Sequence, residues 1–167
     1  EDLQKIKGIG RDKAVTLQAA FTLARRMARE LRQPRPQLDQ PAAVAEYMRE
    51  EFRGKEVEEF HAVLLDTRRR LIRTERISTG TLDSAIVHAR EVFRGAIGAN
   101  ASAIVLVHNH PSGDPTPSKA DITVTRDLIR AGQLLKIDVL DHVILGERRA
   151  DREGDFFSLK EHGYFYQ

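Results

Sequence analysis

The chain has 167 residues, 41% hydrophobic and 31% charged. That suffices for one ordinary domain plus a small appendage with a real core, and it excludes a chain disordered by composition. Lys+Arg number 27 against 25 Asp+Glu, a net charge of +2, so any affinity for nucleic acid must be a local feature. There is no cysteine, which excludes disulfides, cysteine-ligated zinc and thiol catalysis, and leaves His, Asp, Glu or water to hold a metal. No apolar run approaches the roughly 20 residues of a membrane span, and no signal peptide is visible. The expectation is a soluble, cytoplasmic protein without a membrane partner; the opening on Glu1 rather than Met suggests a trimmed chain.

Residues 1–33 read as a small helical segment. Ile6-Lys7-Gly8-Ile9-Gly10-Arg11-Asp12-Lys13-Ala14 resembles the hairpin of a helix-hairpin-helix motif. Gly8 and Gly10 permit a tight turn that presents backbone N–H groups at the start of a helix, and Lys7, Arg11 and Lys13 surround it with positive charge. Such a terminus binds DNA phosphate without reading sequence. The alternative is an ordinary interhelix turn with solvated charges. The helix that follows, from about Asp12, carries apolar residues at a period near 3.6 and a basic surface of Arg25, Arg26, Arg29 and Arg32. A DNA-binding unit of this kind usually pairs two such motifs, and one is visible.

Three prolines between Gln33 and Pro41 end the helix and predict a stiff linker over 34–41, which places a domain boundary there. Residues 42–167 form the main domain. Pro41 suits a first helical position and leads into AAVAEYMREEF. FHAVLLD (60–66) and LIRTERIS (71–78) predict two hairpin strands turning at Thr67–Arg69. A helix is expected from about Ser84 to Ile97, a buried strand over 103–107, a helix from Ser118 to about Leu135, a strand over 137–145 and a short last strand at 156–158. This order predicts an α/β sandwich with a mixed sheet.

Residues 107–121 read VHNHPSGDPTPSKAD. In extended backbone, positions i and i+2 share a face, so His108 and His110 can converge on one ion while Asn109 points away. The Pro/Gly-rich stretch turns the chain, and Asp121 then lies one turn into a new helix, where it can face back to the histidines. Two imidazoles and one carboxylate leave a fourth zinc position for water, the catalytic rather than the structural arrangement. Taken alone, Ser118-x-x-Asp121 also reads as a capping box with Asp in place of the usual Glu or Gln. Capping and ligation are compatible, since a first-turn carboxylate can do either.

The joint spacing, H-x-H, seven residues, then S-x-x-D, resembles the JAMM motif of the MPN/JAB metalloprotease superfamily. HNHPSGDPTPS, together with VHAREVF and LLDHVILG, is similar to the bacterial RadC family over about residues 42–167. The resemblance implies a cytidine-deaminase-like α/β sandwich and a zinc-dependent hydrolase, with peptidase or isopeptidase activity inherited from the superfamily. It implies one zinc ion per chain held by His108, His110 and Asp121, with Mn or Fe as the alternative metals. Ser118 would hydrogen-bond the water or the developing oxyanion. A glutamate on an early strand would act as general base. Glu58 and Glu59 are the candidates, period 2 allows only one of them to face the site, and the family pattern selects Glu58. The partners implied are a protein or peptide substrate and, through the hairpin and the family's traditional DNA-repair label, DNA. The rival is a DNA-binding or DNA-processing module in which the metal site is structural or acts on nucleic acid.

His88 falls on the predicted helix at 84–97, either near the metal site or on the helix surface. Asp141-His142, inside an apolar strand, reads as a core pair with satisfied hydrogen bonds, with an inner-face pair close to the site as the alternative.

Overall fold

The computed structural model describes residues 2–30, 35–80, 87–148 and 154–166. The chain divides into two compact units, residues 1–35 and 36–167. In the first, a 3-10 turn (Asp2–Lys5) leads through Gly8, at φ 95°, into helix α1 (Arg11–Glu30). A left-handed turn of this kind costs glycine little and other residues more.

The second unit is built on a five-stranded sheet in the order β2-β1-β3-β4-β5. Its strands are β1 (Glu59–Leu65), β2 (Leu71–Thr79), β3 (Ala103–Asn109), β4 (Asp138–Leu145) and β5 (Phe156–Ser158). β3 and β4 run parallel; every other pairing is antiparallel, so the sheet is mixed, as the order of predicted elements implied. The helices are α2 (Pro41–Phe52), α3 (Ala89–Gly98) and α4 (Lys119–Leu135).

Alternation along β1 and β3 sorts the core into two layers. Val63, Leu65, Val105 and Val107 pack with Val44, Ala45, Met48 and Phe52 of α2. Phe60, Ala62, Leu64, Ile104 and Leu106 pack with Val92, Phe93 and Ala96 of α3 and Leu128 of α4. Both faces of the central strands are therefore covered, which is why AIVLV reads as one apolar run instead of an alternating one.

The hairpin turn lacks Asn-Gly. Arg69 takes the left-handed conformation at φ 60°, and the Asp66 carboxylate accepts the backbone N–H groups of Arg68 and Arg70 at 2.9 and 3.0 Å. Residues 36–38 of the proline-rich stretch lie along this turn. Leu38 N–H donates to Arg69 O, Leu71 N–H donates to Pro36 O, and the Leu38 side chain is buried.

β3 runs two residues past its expected end, to Asn109, and the largest difference is at α3. α3 starts at Ala89; residues 84–86 of the expected helix lie outside the described residues, and Val87 and His88 precede the first turn. His88 is an exposed, extended N-cap residue, not a helical one, and Val87 packs on the core instead of extending the helix. No helix among the described residues is long and apolar enough to cross a membrane.

Candidate metal centre

β3 carries His108 out of the core and ends at Asn109, so His110 is the first residue of the turn. The pleat places the two rings on one side, with Nε2 atoms 3.0 Å apart. Asp121 reaches them from the first turn of α4, whose start is set by a capping box. The Ser118 hydroxyl oxygen accepts Asp121 N–H at 3.1 Å, and Asp121 Oδ2 accepts Ser118 N–H at 2.6 Å. Oδ1 is left for the histidines, 3.2 Å from His108 Nε2, while Oδ2 lies 3.6 Å from His110 Nε2. Capping and ligation thus fall to separate oxygens of one carboxylate. Ser118 itself is exposed.

Donor atoms bound at about 2.0–2.1 Å around a tetrahedral ion lie about 3.3 Å apart. The Nε2–Nε2 separation of 3.0 Å and the His108 Nε2–Asp121 Oδ1 separation of 3.2 Å lie near that value, and one donor atom from each of the three residues falls within 4.8 Å of the others. Asp121 Oδ1 is also buried and accepts no hydrogen bond, although Asp121 is 1% exposed. A buried carboxylate oxygen without a donor is costly, and a cation between the three groups removes that cost. The His108–His110–Asp121 group can therefore hold a metal.

The charges agree. Burial tends to raise the Asp121 carboxyl, but its contacts with His108, His110 and Ser118 outweigh this and hold it far below the usual carboxylate range. Burial pushes His108 down, against the pull of Asp121. Burial also opposes protonation of His110. There the Asp121 carboxylate, the Asp114 carbonyl and the charge of Glu58 win, and the ring lies above its ordinary value.

Glu58 and Glu59 part company at the edge of β1. Phe60 is paired with His108 and stacks on its ring, so alternation puts Glu58, two residues earlier, on the metal side. The charge of Glu58 is felt at both His108 and His110. Glu59 is buried on the opposite face, with Lys55 Nζ at 3.0 Å, His61 Nε2 at 3.1 Å and Arg76 Nη1 at 3.5 Å. Glu51, Glu59 and His61 form a second cluster of ligating groups, but two cations already answer its buried carboxylate.

Burial raises the Glu59 carboxyl, and its hydrogen bonds to His61 and Lys55, with the charge of Lys55, more than reverse this and leave it below its ordinary value. A depressed folded-state value means stability that is present above the unfolded pKa and lost as pH falls through the folded one. Glu59→Gln is expected to cost about 1–2 kcal/mol at pH 7, since the lost hydrogen bonds are charged but Lys55 and Arg76 are partly solvated. The deficit should shrink below about pH 4. Urea denaturation at both pH values measures it, and an equal deficit at both would contradict the ionised role.

Four residues near the centre lie outside the donor set. Asn109, between the two histidines, points the other way. Its Oδ1 accepts Glu59 N–H at 2.8 Å and its Nδ2 donates to Val57 O at 3.1 Å, so it grips the backbone on both sides of Glu58. His142 on β4 is fully buried and hydrogen-bonded, as a core histidine should be, but one partner is His108, at 2.8 Å. The other is Thr125 of α4, at 2.6 Å. Asp141 turns away to Ser158 Oγ and to the N–H groups of His142 and Lys160; burial nevertheless raises its carboxyl. A cleft of about 690 Å³ opens beside His110 and Pro111, with Arg49, Lys55, Glu147 and Asp155 on its walls.

In the first unit, Lys7, Arg11 and Lys13 are exposed around the Gly8 turn, and Lys13 Nζ donates to Gly8 O at 3.3 Å. Arg25 and Arg26 are exposed on α1; the Arg29 side chain and Arg32 lie outside the described residues.

A mixed sheet covered on both faces, with a His-His-Asp donor set at the end of its central strand, defines an α/β domain of the JAB type. The chain belongs to the RadC family: the model of the RadC-like JAB domain matches residues 38–164. It is 44% identical over 165 residues to a UPF0758 protein of Shouchella clausii, covering 99% of this chain and 69% of that protein. Identity is 47% over 165 residues to a UPF0758 protein of Caldanaerobacter subterraneus subsp. tengcongensis, covering 99% of this chain and 68% of the relative. A UPF0758 protein of Staphylococcus aureus is 47% identical over 164 residues, 98% of this chain and 72% of its own. These names state no activity.

Proposed function

We propose that the chain is a zinc-dependent hydrolase of the JAMM type that cleaves an amide or isopeptide bond. The observation that carries this reading is the convergence of three donor atoms, two neutral-capable imidazoles and one orphaned carboxylate oxygen, within 4.8 Å of one another. His108, His110 and Asp121 would hold the ion. When bound, it supplies Lewis acidity and lowers the pKa of a water it holds. Glu58 would accept a proton from the attacking water and return it to the leaving amine. The Ser118 hydroxyl, whose oxygen accepts Asp121 N–H, would donate to the developing oxyanion. The cleft beside His110 offers room for a peptide segment.

Elemental analysis of the purified protein tests the first half of this proposal: about one zinc per chain is expected. Cleavage of an isopeptide-linked peptide that stops on chelation and returns with zinc tests the second. A metal-free protein that rejects added zinc would overturn the reading.

A separate observation favours a DNA partner for the first unit. Three exposed cations surround a glycine turn that opens onto the N-terminus of α1. Binding of duplex DNA by the whole chain is expected to weaken steeply between 50 and 200 mM salt, and less steeply in a Lys7→Ala/Arg11→Ala/Lys13→Ala variant; the salt slope scales with the phosphates contacted, roughly 0.9 per phosphate. A flat response would remove this role.

A further inference from the structure

We propose that His142 and Thr125 are positioning residues for the metal centre: together they hold His108 as the tautomer whose Nε2 lone pair faces the ion. This rests on reading His108, His110 and Asp121 as a metal centre.

The direction of every proton in the chain follows from its last member. Thr125 Oγ1 lies 2.5 Å from the backbone carbonyl oxygen of Asp121, which can only accept, so the threonine proton must point there. The hydroxyl then has only lone pairs for His142 Nδ1, at 2.6 Å, so Nδ1 carries the proton and donates. The reverse assignment would press two lone pairs together at 2.5 Å. His142 has no exposed surface and no carboxylate among its hydrogen-bond partners, so it is neutral and its Nε2 is a lone pair. His108 Nδ1, at 2.8 Å, must therefore donate to it. A neutral His108 with its proton on Nδ1 has its lone pair on Nε2, the atom that faces His110 and Asp121.

His110 is fixed in the same sense by a shorter route. Its Nδ1 lies 2.6 Å from the Asp114 carbonyl oxygen, so it donates there and keeps Nε2 free. The two ligands thus have different supports. His110 leans on a carbonyl of its own turn, whereas His108 depends on β4 and α4. Metal-ligating histidines commonly donate their other ring proton to a carboxylate or carbonyl; here a second imidazole takes that part. The relay also closes on itself. Thr125 bonds to the backbone of Asp121, so one chain of hydrogen bonds ties the histidine ligand to the carboxylate ligand through the core.

The test is zinc affinity of the full chain, by competition with a chromogenic chelator. His142→Leu, which fills the site without an acceptor, is expected to bind zinc about 10–100-fold more weakly than wild type. His142→Gln restores an acceptor near the Nε2 position and should recover most of the loss. Thr125→Val should weaken binding and Thr125→Ser should not. A merely structural role would lower the metal-free thermal midpoint of Thr125→Val and leave its zinc affinity alone, and that result would overturn the proposal. So would wild-type affinity in His142→Leu. Should His142→Leu not fold, the tautomer of His142 in wild type decides. Long-range ¹H–¹⁵N spectra are expected to show the proton on Nδ1, and a proton on Nε2 would refute the relay. The metal reading fails separately, if wild type itself binds no zinc.

Discussion

Glu58→Gln protein is expected to keep a full complement of zinc while losing hydrolysis by about 10²–10⁴-fold, the range that general base catalysis contributes. Glutamine keeps the size of the side chain and removes only the capacity to take a proton. None of the three donor groups is altered, because Glu58 reaches His108 and His110 through its charge and is not one of the converging donor residues. The paired measurement is zinc content and single-turnover cleavage on the same preparation. Full turnover in Glu58→Gln would remove the glutamate from the mechanism. A joint loss of zinc and turnover would show that its charge is needed to hold the ion.

Asp121→Asn is expected to separate the fold of α4 from its metal. The asparagine carbonyl can still accept Ser118 N–H, so the helix start survives. The negative charge disappears, and the second oxygen position becomes an N–H donor facing His108. In wild type, zinc at a thousand times its dissociation constant should stabilise the fold by about 4 kcal/mol, because the unfolded chain holds no such site. In Asp121→Asn, that stabilisation should vanish. Calorimetry with and without zinc reads the difference, and an equal rise in midpoint for both proteins would show that Asp121 does not bind the ion.

The donor set was legible in sequence because each ligand sits at a local junction. His108 and His110 straddle the end of an apolar run, and Asp121 follows a cap signal by three residues. Period 2 also reduced the choice of base to one of two neighbouring glutamates, and the register of β1 against β3 supplies the frame that distinguishes them. His142 had no such marker. It lies 34 residues beyond His108, inside an apolar strand, and becomes its neighbour only through the parallel pairing of β3 with β4 that sets Leu106 opposite His142. Thr125 is equally silent, one turn beyond Asp121 on the buried side of α4. Non-local pairing leaves no spacing to read. The start of α3 differs for a local reason: the glycine, threonine, aspartate and serine at 80–84 are helix-start signals, and α3 starts at Ala89.

Asn109 has a wider implication for how a domain of this family tolerates change. Its two bonds tie the backbone on either side of Glu58 to the end of the strand that bears His108, so the proposed proton acceptor and the metal-holding residues share one ladder. Loops around the cleft are free to lengthen or drift without altering the gap between them. A slip of β1 by a single position, by contrast, would turn Glu58 away and swing Glu59 inward. On the proposed function, variation aimed at new substrates belongs in the surrounding turns, and the shared ladder is where inactivating changes should accumulate.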